Sequence, residues 1–288
     1  MKSMIVNVIH KMLGNQLTYR LGRTLYMTAR NESGHNMSTD GEFRTQNELI
    51  RIFSLENKKM VVFDVGANFG VWTMSLLNKI PPQKETNIEI HAFEPISETF
   101  QILKNNIENH PLAKQVILLN YACSSKSGSA KMFLASTNSG SNSLHKGEVH
   151  TGLLSNTIQK LTLDKYCEEN NITKILYIKC DTEGHDADVI RGSARLFREE
   201  KIIAFQFEYN QTWLYSRNFM KDVFDLLDGM PYVIGKISSK KLQMYRKWHP
   251  EIERFFESNY IIIHQDALRC FNHDIGSFDE SYYYVAEN

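Results

Sequence analysis

Cysteine is scarce in this chain. Its 288 residues hold four, Cys123, Cys167, Cys180 and Cys270, with no C-x-x-C pair and no histidine at zinc-finger spacing. That excludes a disulfide scaffold or a zinc ribbon and reads as scattered thiols of a reducing compartment, so a cytoplasmic location is expected. No run of 18 apolar residues occurs, which argues against a membrane span or stable membrane insertion. Residues 1–14 are interrupted by His10 and Lys11 and lack the unbroken apolar core of a signal peptide. Neither sign of charge is in excess: 33 Lys and Arg meet 33 Asp and Glu, so no nucleic-acid partner is expected. Internal repeats and low-complexity tracts are absent too.

What is present suits one large α/β domain with additions. Residues 1–31 carry Lys2, Lys11, Arg20, Arg23 and Arg30 and no acid. This reads as a solvated N-terminal helical extension, with a membrane-surface helix or a transit segment as alternatives. Residues 31–41 are polar with two glycines and read as a loop. The expected division is an extension over 1–55 and a main domain over 56–288.

From there strand and helix alternate. Strands are expected at 60–65, 88–93, 115–119, 175–180 and 202–207, with a short extra one at 131–135. Helices are expected at 69–80, along Ile96, Phe100, Leu103 and Ile107, at 163–169, along Ala187, Ile190, Ala194 and Phe197, and along Phe219, Val223 and Leu226. Late strands at 232–237 and 260–264 enclose a basic stretch, 236–247. The fold class is therefore α/β: a doubly wound, mostly parallel sheet with an antiparallel edge hairpin. Residues 136–156 are small and polar and read as a long functional loop.

The chemistry sits at strand ends, where open α/β sheets bind ligands. The first strand runs into Asp64-Val65-Gly66-Ala67-Asn68-Phe69-Gly70. Its glycines allow a tight turn and close approach of a ligand. The spacing departs from G-x-G-x-x-G, and a carboxylate at the strand end would repel a pyrophosphate while suiting an ammonium. The second strand ends in Glu94-Pro95, and a carboxylate there can accept hydrogen bonds from both ribose hydroxyls. A ligand with an ammonium, a ribose and no phosphate is S-adenosyl-L-methionine.

The strand at 175–180 leads into Asp181-Thr182-Glu183-Gly184-His185. Transfer from a sulfonium to a hydroxyl needs a positioned acceptor and a proton acceptor. Asp181 is expected to orient the acceptor or take its proton, with His185 as its partner and Glu183 in support. Glu208 and Asn210, after the next strand, are candidate acceptor-binding residues. Asp181, Glu208 and Asn210 could also meet as Mg²⁺ ligands, but the acids are explicable without an ion and no metal is expected.

Together these segments resemble the FkbM family of methyltransferases. The resemblance is carried by residues 63–70, Phe93-Glu94-Pro95, Leu161-Thr162-Leu163-Asp164, Ile178 to His185 and Arg191-Gly192, in that order over about 40–210. It implies a class I methyltransferase fold and O-methylation of sugars, polyketides or related natural products. It also implies that Asp64, Gly66, Asn68 and Glu94 hold the cofactor; Ala67, Gly70 and Pro95, in the same two turns, are expected to bind it as well. After the third strand the family often has an acid near the adenine; this chain has Ala122-Cys123-Ser124-Ser125, which makes Ser124 and Ser125 the candidates. The family places a substrate-side loop where Asn142-Ser143-Leu144 falls, making Ser143 an acceptor-side candidate. A small-molecule or glycan acceptor follows, and a homo-oligomer stays open. The competing readings are an NAD(P)-dependent oxidoreductase and an inactive module that still binds S-adenosylmethionine.

Overall fold

The computed structural model describes residues 2–32, 37, 39–55, 59–81, 87–133, 144 and 155–287. In chain order its elements are α1 (Lys2–Ala29), α2 (Glu42–Leu55), β1 (Met60–Val65), α3 (Val71–Leu77), β2 (Ile88–Phe93), α4 (Ser97–Glu108), β3 (Val116–Leu119), β4 (Ala122–Cys123), β5 (Gly128–Phe133) and β6 (Ser155–Leu161). There follow α5 (Leu163–Glu169), β7 (Ile175–Cys180), α6 (Asp186–Arg191), α7 (Ala194–Arg198), β8 (Ile202–Tyr209), α8 (Trp213–Ser216), α9 (Met220–Leu226), β9 (Tyr232–Ile237), β10 (Leu242–Tyr245), β11 (Ser258–His264), α10 (Gln265–Leu268), β12 (His273–Phe278) and β13 (Tyr284–Ala286).

The apolar runs become the centre of a large sheet. All six residues of β7 are buried, as expected of a strand covered on both faces. Strands β3, β2, β1, β7 and β8 lie side by side in that order, all parallel. Helices cover both faces. Leu49 and Ile52 of α2, Leu76 of α3, Leu103 of α4 and Leu268 of α10 pack with Val62 and Ile90 on one side. Leu163 of α5, Val189 of α6, Phe197 of α7 and Val223 of α9 pack with Phe63 and Phe205 on the other. The doubly wound α/β architecture is as expected. The strand order reverses between β1 and β7, which opens a crevice at their carboxyl ends.

The antiparallel part is larger than an edge hairpin. β11 inserts between β8 and β9, antiparallel to both. β10 then pairs antiparallel with β9, β12 adds parallel to β10, and β13 closes antiparallel to β12. The basic stretch 236–247 thus contains a strand. Its Lys236 is buried and ion-paired to Glu32. A second sheet, β4-β6-β5, packs Ala122, Met132 and Ile158 against Ile96. The expected strand at 131–135 is β5, which starts three residues earlier.

The apolar stripe from Ala187 to Phe197 is divided into α6 and α7 rather than forming one helix. At Gly192 a Cβ would lie 2.1 Å from the Ser124 carbonyl oxygen, so the backbone itself is the packing surface. The new helix is started by Asp164, whose carboxylate accepts from the N–H groups of Arg195 and Leu196 at 3.0 Å each. That gives the Leu161-Thr162-Leu163-Asp164 motif a structural role.

Helix α1 bends at Gly14 (φ 68°, ψ 172°). Its end is tied down where Arg30 bridges Glu32 at 2.9 Å and Glu251 at 2.7 Å. Ser258 donates to Glu32 at 2.7 Å. No helix among the described residues is long and apolar enough to cross a membrane.

Candidate active site

A cleft of about 520 Å³ opens over the carboxyl ends of β1, β2, β7 and β8. One wall is the β1–α3 turn. Gly66 has φ 80°, and a Cβ there would meet the Asp181 carbonyl oxygen at 1.9 Å. The turn therefore lies directly on the end of β7, and the Gly66 and Ala67 N–H groups donate to the Phe93 carbonyl. Gly66, Ala67 and Asn68 line the cleft, as do Glu94 and Pro95.

The Glu94 carboxylate is fixed at both oxygens. Oε2 accepts from the Asn68 N–H at 3.0 Å and Oε1 from the Ile96 N–H at 2.9 Å. Each oxygen keeps a lone pair for a ligand. Burial raises its pKa to about 7, outweighing the two backbone donors that oppose the shift.

Two residues of the glycine motif stand outside the cleft wall. Asp64 is wholly buried beneath the turn, accepts from Thr73 Oγ1 at 2.6 Å and has Lys179 Nζ 3.9 Å away. Gly70 has φ 84°, and a Cβ there would meet Leu103 Cδ1 at 2.7 Å. It sets the approach of α3 to α4. Gly70→Ala is therefore expected to cost about 1–2 kcal/mol through left-handed strain and to leave cofactor affinity unchanged. Chemical denaturation with a parallel binding titration checks this; a large affinity loss in the folded variant would return Gly70 to the site.

Ser124 and Ser125 also face away. The Ser124 hydroxyl lies 3.0 Å from His185 Nε2, and Ser125 donates to Asp188 at 2.7 Å. Their neighbours Tyr121, Ala122 and Cys123 line the cleft instead. The strand pairing explains this, because Ala122 and Cys123 form β4 and the chain then turns beneath α6. Ser143 lies outside the described residues; Leu144, beside it, is on the cleft wall.

On the opposite side stand Asp181, Thr182, Glu183 and His185, with Glu208 and Asn210 from the end of β8. Asp181 takes a hydrogen bond from Lys179 Nζ at 3.2 Å. His185 does not pair with it: Nε2 meets Ser124 Oγ, and Nδ1 lies 3.6 Å from Asp188. The expected Asp181–His185 pair is thus replaced by Asp181–Lys179, because the turn after β7 directs the imidazole toward β4. Glu183 sits in the left-handed region (φ 53°). Burial, with Asp181 and Asp186 nearby, raises its pKa to about 8. Burial and the same acids push Glu208 well up. Asn210 donates to Glu208 at 2.8 Å. No three His, Cys, Asp or Glu side chains among the described residues converge as a metal site.

Sequence reasoning passed over Lys179. Among the described lining residues it is the only Lys or Arg, against seven carboxylates: Asp40, Glu42, Glu94, Asp181, Glu183, Glu208 and Glu257. Burial disfavours its charge, yet Asp181, Asp64 and Glu42 together raise its pKa above the ordinary lysine value. Also missed were Met37, Asp40 and Glu42, which bring the N-terminal segment into the cleft, and Trp72, whose buried indole Nε1 has no hydrogen-bond partner among those described.

A doubly wound sheet, a glycine turn over the strand-order reversal and an acid ending the second strand define an α/β enzyme class that binds an adenosine-type cofactor. This chain belongs to the FkbM methyltransferase family, whose domain model matches residues 64–236, well over half of it. The cofactor of that family is S-adenosylmethionine. The chain is 28% identical over 152 residues to the hexuronic acid methyltransferase AglP of Haloferax volcanii, covering 52% of this chain and 57% of the relative. It thus spans little more than half the length of the curated relative it matches. Among solved structures it is similar to a methyltransferase FkbM from Methylobacillus flagellatus, with 14% identity, 73% of this chain, 45% of that chain and a TM-score of 0.43. It is also similar to an S-adenosylmethionine-dependent methyltransferase from Agrobacterium tumefaciens, with 9% identity, 77% and 61% coverage and a TM-score of 0.41.

The side chains present fit that cofactor. It carries a sulfonium and an ammonium against one carboxylate, and an acid-rich cleft favours a net cation. Glu94 offers free acceptor positions, and the unpaired Trp72 N–H offers a buried donor on the same wall.

Proposed function

We propose that this chain is an O-methyltransferase that uses S-adenosylmethionine to methylate a hydroxyl of a small molecule, of the sugar or glycan class. The observation that carries the reading is the two-sided cleft. Glu94 is fixed on the ribose side, and a lysine-held acid group faces it across the carboxyl ends of β1 and β7. The sugar class draws support from the hexuronic acid methyltransferase relative.

S-adenosylmethionine supplies an electrophilic methyl group on sulfur. The chain's own residues do the rest. Glu94 would accept hydrogen bonds from the ribose hydroxyls of the cofactor. Asp64 acts from beneath the turn through Lys179 and Thr73, not by direct contact. Lys179 fixes the Asp181 carboxylate, which orients the acceptor hydroxyl. Glu183 would take the proton that the acceptor hydroxyl gives up when the cofactor supplies its methyl group. A carboxyl group with a pKa of about 8 is well matched to proton transfer near neutrality. His185, Glu208 and Asn210 shape the acceptor side with Leu144.

The test is the cofactor. Glu94→Ala is expected to weaken S-adenosylmethionine binding by roughly tenfold to a hundredfold, the range for losing a charge-assisted hydrogen bond. Affinity should also follow the Glu94 charge. Above its pKa of about 7 the carboxylate accepts both hydroxyls; as the pH falls through that value it protonates and affinity drops. Calorimetric titration between about pH 5.5 and 8.5 reads both effects. Wild-type affinity in a folded Glu94→Ala protein would sink the ribose assignment, and tight NAD binding in place of S-adenosylmethionine would sink the reading itself.

A further inference from the structure

The turn that carries Glu183, between β7 and α6, is gripped by residues that take no part in proton transfer. Within it Glu183 (φ 53°) and Gly184 (φ 90°) are both left-handed. Glutamate disfavours that conformation, and such strain persists only where the surroundings over-determine the backbone. At the near end the Asp181 N–H donates to the Val65 carbonyl at 2.9 Å. In the middle, a Cβ on Gly184 would lie 2.5 Å from Thr212 Oγ1, and the Thr212 N–H is tied to Asn210 Oδ1 at 2.8 Å. At the far end His185, only 6% exposed, turns Nε2 to Ser124 Oγ at 3.0 Å and Nδ1 to Asp188 at 3.6 Å. Ser124 is itself fixed. Its N–H donates to the Leu161 carbonyl at 2.9 Å, and its own carbonyl packs on Gly192. Asp188 in turn accepts from Ser125 at 2.7 Å and from Asn218 at 3.3 Å. Thr182, Glu183 and Gly184 thus span two fixed points.

We infer that His185 is a positioning residue: braced by Ser124 and Asp188, it sets where the Glu183 carboxyl group stands in the cleft. Its ring nitrogens face the β4 side and α6, so its effect on the acceptor runs through the turn. Any other course of the turn would break the Ser124 contact and leave a buried ring nitrogen and a buried hydroxyl unpaired, which costs more than an ordinary hydrogen bond gains. That cost holds Glu183 against its own backbone preference. The two serines that stand where relatives often have an acid thereby acquire a role. Ser124 holds the imidazole and Ser125 holds Asp188. The use of Glu183 as proton acceptor rests on the methyltransferase reading above; its placement by His185 does not.

The experiment is a carbon NMR titration of the full chain labelled at its glutamate carboxyl carbons. The Glu183 signal is the one absent from E183Q. In the wild-type protein it is expected to titrate near pH 8, raised by burial and by Asp181 and Asp186. H185F keeps a ring but removes both nitrogens, and S124A removes the contact from the other side. Each should move the Glu183 midpoint by at least about one unit toward the ordinary glutamate value of about 4.3, as the carboxyl group leaves its buried place. H185Q carries an amide that reaches the Nε2 position and does not ionise, so it should restore most of the wild-type midpoint. An unmoved midpoint in folded H185F and S124A overturns the proposal. Equal shifts in H185F and H185Q also overturn it, since ring packing would then account for the effect. Should H185F fail to fold, S124A decides the question, because its change lies outside the cleft. The titration uses neither cofactor nor acceptor. Failure to bind S-adenosylmethionine would therefore end the methyltransferase reading and leave the titration result standing.

Discussion

Replacing Lys179 with methionine is expected to destabilise the protein by about 3–5 kcal/mol, the usual cost of leaving a buried charge without its partner. In a chain of this size that is a fall of roughly 5–15 °C in unfolding midpoint. The Asp64 side chain is 0% exposed and that of Lys179 only 10%, so water cannot take over the missing contact. The two residues face each other across β1 and β7 in register. The effect has a pH signature. Burial already raises the Asp64 pKa, and losing Lys179 raises it further. An acid whose folded pKa is raised binds its proton more tightly in the folded state, so the variant's deficit is full at neutral pH and shrinks as the pH falls. Adding Asp64→Asn to Lys179→Met should restore much of the loss. Thermal unfolding of the two single variants and the double variant reads the cycle. A Lys179→Met protein as stable as wild type would mean that Asp64 is not held as a charge.

Glu183→Gln should lower turnover by at least about a hundredfold while leaving cofactor affinity within a few fold, since general-base help contributes about 10²–10⁴-fold. In the wild-type enzyme the rate should rise with pH through about 8, as Glu183 loses its proton. The glutamine variant should lack that rise. Asp181→Asn removes a charge held by Lys179 and is expected to cost less, about tenfold, while keeping the rise. Single-turnover rates between about pH 6 and 9.5 separate the two roles. If Glu183→Gln keeps both the wild-type rate and the pH limb, the proton goes elsewhere, and His185, on the same cleft wall, is the next residue to substitute.

Much of the parallel half of the sheet was legible in the sequence, because strands covered on both faces must be apolar runs and their turns need glycine. The Gly66 turn and Glu94 were found by that logic. What was missed depended on partners distant in the chain. Lys179 interrupts an apolar strand, and only the β1–β7 register shows that Asp64 compensates it. A lysine inside such a run was itself a signal, since buried lysines are almost always paired. Gly192 breaks a helical stripe because of a backbone contact with Ser124, sixty-eight residues earlier in the chain, which local periodicity does not contain. β12 mixes His, Asp and Ser with Ile and Phe, β13 is only three residues long, and both are only partly buried, so neither alternation nor an apolar run marks them. The cleft followed the same division: residues on the glycine turn and the second strand were legible, and those lent by Met37, Asp40 and Tyr121 were not.

The insertion of β11 between β8 and β9 bears on how the molecule is made. Phe207 of β8 pairs with Tyr260 and Ile234 of β9 with Ile262, so the edge of each strand that β11 fills stays unpaired until about residue 264 has left the ribosome. Until then the nascent chain carries the edge of β8, with the sequence Ile-Ile-Ala-Phe-Gln-Phe-Glu-Tyr, open to any other extended strand. Such edges template aggregation. The C-terminal segment from Ser258 onward therefore protects the sheet during synthesis as well as completing it. Translation that stalls between residues 210 and 258 leaves the β8 edge open.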